Sequence, residues 1–296
     1  MQLAFDTITT DMAHLFDEKD ITIYVLRLDK IHPVISGNKW FKLQYYIKEA
    51  KEQHKKVVTF GGAYSNHIVA TAAACKMNGL LCEGIIRGQE ATVLSPTLLK
   101  AKEYGMTLHF ISREEYSKKK IPVELQSDEH YLVNEGGYGE KGVTGAMEIL
   151  NYNKEEFTHC CCAVGTGTMM AGLTRAITSG QKMTGISVLK NNYESDSYRI
   201  EKNVQSLLSD EPKEWQIIHD YHFGGYAKYK PGLIEFMNEF YRQTRIPSDF
   251  VYTGKLFFAI SDLIKNNYFP AGSKLLLIHS GGLQGNSSLA KGTLIY

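Results

Sequence analysis

A lysine at the start of a helical pattern is the residue whose position most clearly suggests chemistry. Lys39 follows the turn Ser36-Gly37-Asn38 and precedes an amphipathic stretch. A cation at a helix N-terminus is electrostatically unfavourable, and this lowers the pKa of the amine. An amine with a lowered pKa can attack a carbonyl carbon, as a Schiff-base lysine does. The alternative is that Lys39 is an ordinary surface lysine. Lys42 lies one turn later and faces either a phosphate or water.

A glycine-rich turn could bind an anion. Gly165-Thr166-Gly167-Thr168 follows an apolar run and opens a helix. Its glycines would let backbone N–H groups approach a phosphate, and its threonines could add donors. The spacing is not that of a dinucleotide site, and no acidic residue ends the next strand. A monophosphate fits best, with a turn that binds nothing as the alternative. Together with Lys39, this turn favours pyridoxal phosphate as the cofactor.

Three other turns carry polar side chains near helix starts. Ser65 and Asn66 follow Gly61-Gly62 and could bind a carboxylate, although plain N-capping explains them equally well. The next residue, His67, is either a base or a polar helix residue. Ser280 follows the last strand and either donates to a ring nitrogen or caps a turn. Tyr226 lies in a glycine turn, although an individual tyrosine among 18 usually serves packing.

Short β-rich runs alternate with helical patterns along most of the chain. This order predicts parallel sheets covered by helices on both faces, with ligands bound at the carboxyl ends of the strands. The strands are predicted at 21–28, 57–60, 84–86, 108–111, 160–164, 186–189, 216–219 and 275–279. The helices are predicted at 40–53, 65–77, 95–104, 141–151, from 168, 195–208, 233–242 and 255–265.

Composition excludes several classes of partner. The chain has 296 residues and a net charge of +1 without a basic stripe, which argues against nucleic acid and anionic membranes. The run Lys118-Lys119-Lys120 is interpreted as a solvated helix end. No apolar segment is long enough to span a bilayer, and no signal peptide is expected.

Five cysteines are present, and three of them are consecutive, Cys160 to Cys162. Neighbours on a strand point to opposite faces, so these cysteines suit neither a zinc site nor a disulfide framework. They are predicted to be reduced packing residues of a cytoplasmic protein, and no metal site is expected.

Together these motifs resemble the 1-aminocyclopropane-1-carboxylate (ACC) deaminase and D-cysteine desulfhydrase group of pyridoxal phosphate enzymes. That group has the fold type II, or tryptophan synthase β-like, architecture. The resemblance covers nearly the whole chain in order. The segments that carry it are Gly37-Asn38-Lys39, Lys42-Leu43, Gly61 to Asn66, Glu135-Gly136-Gly137, Gly165 to Thr168, Tyr252-Thr253-Gly254-Lys255 and His279-Ser280-Gly281-Gly282.

The resemblance implies an α/β protein with two three-layer, parallel-sheet domains. Residues 1–44 and 152–296 would form a large cofactor-binding domain, residues 45–151 a small domain, and two chains a homodimer. It also implies roles at the site. The catalytic residues would be Lys39, Ser65, Tyr226 and Tyr252, and the substrate would contact Ser65, Asn66 and His67. The cofactor would be bound by Lys39, Lys42, Asn66, Gly165, Thr166, Gly167, Thr168, Thr253 and Ser280.

Two positions separate the branches of the family. ACC deaminases have a glutamate at the position of Thr253 and lack the hydroxyl of Ser280, so this chain is similar to the desulfhydrases. We therefore expect a lyase that converts D-cysteine to pyruvate, ammonia and hydrogen sulfide. The alternatives are an ACC deaminase that forms 2-oxobutyrate and ammonia, and a binding protein without catalysis. The chain departs from the family pattern at two places. Trp40 and Phe41 replace the usual Thr-Arg pair between the two lysines, and His67 stands where glutamine is common.

Overall fold

The protein was analysed as a computed structural model, which describes residues 3–16, 19–190, 196–208 and 213–296. Within these residues the strands form two sheets. Their bounds are β1 (Thr10–Met12), β2 (Thr22–Arg27), β3 (Lys56–Gly61), β4 (Cys82–Arg87), β5 (Met106–Ile111), β6 (His130–Val133), β7 (His159–Val164), β8 (Lys182–Ser187), β9 (Glu214–Ile218) and β10 (Lys274–His279).

The larger sheet has the order β1-β2-β10-β7-β8-β9. All its strands are parallel except the edge strand β1, which is antiparallel to β2. The smaller sheet has the order β5-β4-β3-β6 and is parallel throughout. The predicted α/β class with parallel sheets is therefore confirmed.

Helices cover both faces of each sheet. Their bounds are α1 (Asn38–Glu52), α2 (Asn66–Asn78), α3 (Pro96–Glu103), α4 (Arg113–Ser117), α5 (Glu140–Met147), α6 (Thr168–Ala176), α7 (Asp196–Gln205), α8 (Pro231–Thr244) and α9 (Thr253–Lys265). One core of the larger sheet contains residues of α1, α5, α6 and α7, and the other contains residues of α8 and α9. The smaller sheet packs α1, α2 and α3 on one face and Tyr116 of α4 on the other.

The consecutive cysteines of β7 divide between two cores, as predicted. Cys160 and Cys162 pack with α6, whereas Cys161 packs with α9. All three are buried free thiols. Burial in apolar surroundings raises the pKa of the Cys161 thiol well above its ordinary value, so this residue serves packing.

The structure also shows elements that the sequence patterns did not predict. These are the edge strand β1, the short helix α4 and strand β6. Strand β8 begins at Lys182, four residues before the predicted start. The helix predicted at 141–151 is divided into α5 and a 3-10 helix at Glu148–Tyr152. The domain bounds stay a prediction, and the boundary at 44/45 falls inside α1. In the part of the chain described, no helix is long and apolar enough to cross a membrane.

Candidate active site

A cavity of about 1020 Å³ lies at the carboxyl ends of strands from both sheets. It brings together most of the residues predicted from the sequence. Its lining includes Lys39, Lys42, Ser65, Asn66, His67, Gly165, Thr166, Gly167, Tyr226, Tyr252 and Ser280. Thr168 and Thr253 are fully buried and are not part of the lining.

The turn before α1 is locked against the turn after β10. The backbone N–H of Asn38 donates to the carbonyl oxygen of Ser280 at 3.2 Å. Gly37 has a φ of +63°, and a Cβ there would lie 1.8 Å from the same oxygen. Only a glycine fits such an approach, so the chain uses Gly37 to hold Lys39 next to Ser280.

The Lys39 amine is held in a largely apolar environment. Its Nζ donates to Asn38 Oδ1 at 2.7 Å and lies 5.7 Å from the centroid of the Tyr252 ring. Burial lowers the pKa of Lys39 to about 8, against an opposing effect of the carboxylate of Asp249. About a tenth of the amine is therefore unprotonated at pH 7, and about half at pH 8.

The turn from Gly165 to Gly167 leads directly into α6. Gly167 precedes α6 with a φ of +89°, and its carbonyl accepts from Ala171. The first N–H groups of a helix have no partner within the helix, so those of α6 are available to an anion. Thr166 and Thr168 place their hydroxyl oxygens 3.2 Å apart. Lys42 lines the same cavity, where burial first and the charge of Lys39 second lower its pKa well below the ordinary value.

The tautomer of His67 follows from its hydrogen bonds. Thr59 donates its hydroxyl proton to the carbonyl oxygen of Val133 at 2.7 Å. The contact of 2.8 Å between Thr59 Oγ1 and His67 Nε2 therefore requires Nε2 to be the donor. Burial first, and then the charges of Lys42 and Lys39, lower the pKa of His67 well below the ordinary value. The residue is neutral, and its buried Nδ1 is an acceptor without a partner.

The start of α2 carries two polar side chains that line the cavity, Ser65 and Asn66. Ser65 caps this helix by accepting from the N–H of Ile68 at 3.4 Å, which leaves its hydroxyl proton free of that contact. Asn66 is buried, and its Oδ1 has no hydrogen-bond partner. Capping and ligand binding are thus compatible at this turn.

Asp249 is a buried residue that the sequence patterns did not single out, and it explains why Thr253 faces away from the cavity. Its carboxylate accepts from the N–H groups of Val251, Tyr252 and Thr253 at 2.9–3.0 Å. Thr253 donates its hydroxyl proton to Asp249 at 2.7 Å and accepts from the Asp249 N–H. The hydroxyl proton of Thr253 is therefore engaged by Asp249. Of Thr253 and Ser280, which were both predicted to contact the cofactor, only Ser280 lines the cavity.

Two tyrosines on the cavity lining are in edge-to-face contact. The rings of Tyr226 and Tyr252 have centroids 5.9 Å apart and planes inclined by 73°. Burial raises the pKa of the Tyr252 phenol well above the ordinary value, and the pKa of Tyr226 is raised in the same direction although 44% of that residue is exposed. Both side chains are therefore neutral phenols that can donate a proton or a hydrogen bond.

Further polar residues on the lining were not predicted as site residues. The run Lys118-Lys119-Lys120 is only partly a solvated helix end: Lys118 pairs with Glu114 and Lys120 with Glu115 at the surface, but Lys119 lines the cavity. Arg87 and Arg113 line it too. Their approach depends on the order of the strands in the sheet, which no local sequence pattern reveals. No group of three or more His, Cys, Asp or Glu residues within the described ranges could hold a metal ion.

Residues 3–281 match the model of the family described as pyridoxal-phosphate dependent enzymes. The chain belongs to this family. It is 29% identical over 293 residues to a bifunctional D-cysteine desulfhydrase/1-aminocyclopropane-1-carboxylate deaminase of Arabidopsis thaliana, covering 89% of this chain and 73% of the relative. It is 26% identical to a 1-aminocyclopropane-1-carboxylate deaminase of Ralstonia pickettii, covering 83% of this chain and 82% of that relative.

A solved structure of an ACC deaminase homologue is 26% identical, with a TM-score of 0.79 over 94% of this chain and 90% of that one. These comparisons confirm the fold type II architecture, the resemblance and the cofactor. The cavity itself fits pyridoxal phosphate, because it combines an amine of lowered pKa, a helix N-terminal cradle and two buried acceptors without partners, Asn66 Oδ1 and His67 Nδ1.

Proposed function

We propose that this enzyme eliminates the thiol group of D-cysteine, giving pyruvate, ammonia and hydrogen sulfide. The observation that carries the proposal is that Ser280 lies on the cavity lining, whereas Thr253 donates its hydroxyl to Asp249. ACC deaminases have a glutamate where Thr253 stands. In this chain the neutral hydroxyl of Ser280 is assigned as the partner of the cofactor's ring nitrogen. A neutral partner limits how long the ring can hold the electron pair from Cα, so prompt loss of a group at Cβ is favoured.

The residues that would hold the cofactor follow from the cavity. Lys39 binds its aldehyde, the N–H groups of Gly165 to Thr168 bind its phosphate, and Asn66 and Ser280 contact its ring. Lys42 adds positive charge to the lining when protonated. When bound, pyridoxal phosphate supplies an electron sink for a bond broken at Cα. The role of Thr168 is through its backbone N–H, since its side chain is buried away from the lining.

Three groups would act on the substrate. Ser65, with the N–H groups that begin α2, binds the substrate carboxylate, and the neutral His67 accepts a hydrogen bond through Nδ1. Lys39 removes the proton from Cα, for which its pKa of about 8 is well suited. Tyr252, whose ring packs edge-to-face against that of Tyr226, donates toward the sulfur that leaves Cβ. One water is consumed as the nitrogen leaves as ammonia, which balances the reaction.

ACC deamination is the second candidate, because relatives with that name match most of the chain. It would use Tyr252 or Tyr226 at the cyclopropane ring. Parallel assays separate the two: D-cysteine should release equal amounts of sulfide and pyruvate, and ACC should release little 2-oxobutyrate. Rapid formation of 2-oxobutyrate with no sulfide from D-cysteine would reverse the assignment.

The pH dependence of cofactor attachment should report the pKa of Lys39. Only the free amine attacks the aldehyde, so the attachment rate should rise about tenfold per pH unit below pH 8 and level off above it. The measurement is the growth of the visible absorbance band after pyridoxal phosphate is mixed with apoprotein. Free lysine treated in the same way gives the pH dependence of the aldehyde itself. A rate that keeps rising to about pH 10 would show an ordinary lysine pKa and contradict the account.

The proposal includes the two domains with bounds at 44/45 and 151/152, the homodimer and a cytoplasmic location. The division is supported by the strands, since those of the smaller sheet all lie between Lys56 and Val133.

A further inference from the structure

The cavity continues past Lys39 to cations that the elimination of D-cysteine does not use. Arg87 ends β4, Arg113 begins α4 directly after β5, and Lys119 follows α4. All three line the same cavity as Lys39. D-cysteine has a single carboxylate, which is assigned above to Ser65 and the start of α2. The additional positive charge therefore has no partner in that substrate.

The acid on this part of the lining is already engaged. Glu135 accepts from the Tyr116 hydroxyl at 2.6 Å and forms an ion pair with Lys119. Among the described residues, no carboxylate pairs with Arg87 or Arg113. Arg87 and Arg113 are exposed residues that both line this cavity, and without acidic partners their guanidinium groups are suited to an oxyanion, which arginine can bind through two parallel hydrogen bonds.

Aromatic rings hold part of this cluster in place. The Arg87 guanidinium carbon lies 5.9 Å from the centroid of the Tyr116 ring, and Lys119 Nζ lies 4.3 Å from it. Phe60 supports Tyr116 in a T-shaped contact with centroids 5.8 Å apart. Such cation–π contacts restrict the directions in which the cations point and keep Arg87 on the cavity wall.

The strand order places both arginines on the same side of the turn that follows β3. Gly61 of β3 pairs with Ile86, and Arg87 pairs with Ile111 of β5. Neighbouring strands lie about 4.8 Å apart, so the backbones of Arg87 and Arg113 are about one and two strand spacings from the β3 turn. Because the start of α2 and both arginines line one cavity, a substrate held at that turn by its α-carboxylate can extend a longer Cβ substituent toward them.

We propose that the physiological substrate is an amino acid whose Cβ substituent ends in an anion, bound by Arg87 and Arg113. This inference rests on the proposed function, because it places the α-carboxylate at Ser65. With a phosphate ester as the example, the Cα–H bond breaks and its proton goes to Lys39. The Cβ–O bond breaks next, and its electron pair leaves with the phosphate. One water then completes the conversion to pyruvate, ammonia and phosphate.

Serine and O-phosphoserine, each tested as both enantiomers, are matched probes that differ only in the phosphate. The apparent affinity of the holoenzyme for each is measured as the KM for pyruvate release at 0.15 M salt, where weak surface attraction is screened. One enantiomer of O-phosphoserine should bind about tenfold or more tightly than the same enantiomer of serine, since hydrogen bonds between two charged groups are strong. Arg87→Gln and Arg113→Gln should each reduce this preference, whereas Lys118→Gln, on the neighbouring exposed residue, should preserve it.

Equal binding of serine and O-phosphoserine, or a preference that survives in both arginine variants, overturns the proposal. Sulfide release from D-cysteine, measured on the same holoenzyme, separates its failure from that of the proposed function. Sulfide release without a phosphate preference overturns the anion site alone. An arginine-dependent phosphate preference without sulfide release supports the anion site and overturns D-cysteine as a substrate.

Discussion

Lys39→Ala is expected to reduce turnover of any amino acid by at least about a thousandfold, because it removes the group assigned to proton transfer at Cα. It should also remove the visible absorbance of covalently bound pyridoxal phosphate. Both effects have one origin, since a single amine, with a pKa of about 8, is assigned to both tasks. The measurements are steady-state product formation and an absorption spectrum of the purified variant.

Lys48→Ala is the matched control for this substitution. Lys48 lies on the same helix, is exposed and is not part of the lining of the active-site cavity. Alanine is also favourable in a helix, so this variant should fold and keep both activity and absorbance. A Lys39→Ala protein that retains the covalent absorbance band would place the cofactor on another lysine and refute the site.

Gly37→Ala is expected to cost about 4 kcal/mol of folding free energy, combining strain at positive φ with a clash that neither turn can relieve. A Cβ at this position would lie 1.8 Å from the carbonyl oxygen of Ser280 and 2.5 Å from the N of Gly281. These are backbone atoms, so no side-chain rotation removes the contact. Any protein that folds should bind pyridoxal phosphate poorly, because the two turns that place Lys39 and Ser280 must separate.

Gly79→Ala separates the clash from the strain. Gly79 ends α2 with a φ of +69°, close to the +63° of Gly37, but a Cβ there would meet nothing within 4 Å. This variant should therefore lose only about 1 kcal/mol, the ordinary cost of alanine in a left-handed conformation. Unfolding in urea measures both. Equal losses in the two variants would show that the contact between Gly37 and Ser280 does not constrain the site.

The sequence predicts the architecture well because most of its strands are buried and apolar. Strand β7, from His159 to Val164, is buried along its whole length, so its pattern is unambiguous. In contrast, β1 has three residues, none of them fully buried, and forms only by pairing with β2. Strand β6 is also short, and pairing with β3 stabilises it. Helix α4 has only five residues, but the capping box of Ser112 and Glu115 is a local signal that could have predicted where it begins.

The site was partly predictable for the same reason. Ser65 and Ser280 follow β3 and β10, so the pattern places each at the carboxyl end of a parallel strand, where ligands bind. These strands belong to different sheets, so their meeting at one cavity with Lys39 required the structure. The direction of Thr253 was not predictable, because it depends on the carboxylate of Asp249 four residues earlier. Arg87 and Arg113 come together only because β4 and β5 are neighbours in the sheet, an order that requires the three-dimensional structure.

The most direct test is a visible absorption spectrum of the holoenzyme before and after addition of D-cysteine, with sulfide and pyruvate assayed in the same tube. The account predicts an absorbance band of bound cofactor that shifts on addition, with sulfide and pyruvate formed in equal amounts. A band that shifts without sulfide release would contradict D-cysteine as the substrate. A protein that shows no band even after addition of pyridoxal phosphate would contradict the role of Lys39 and the account built on it.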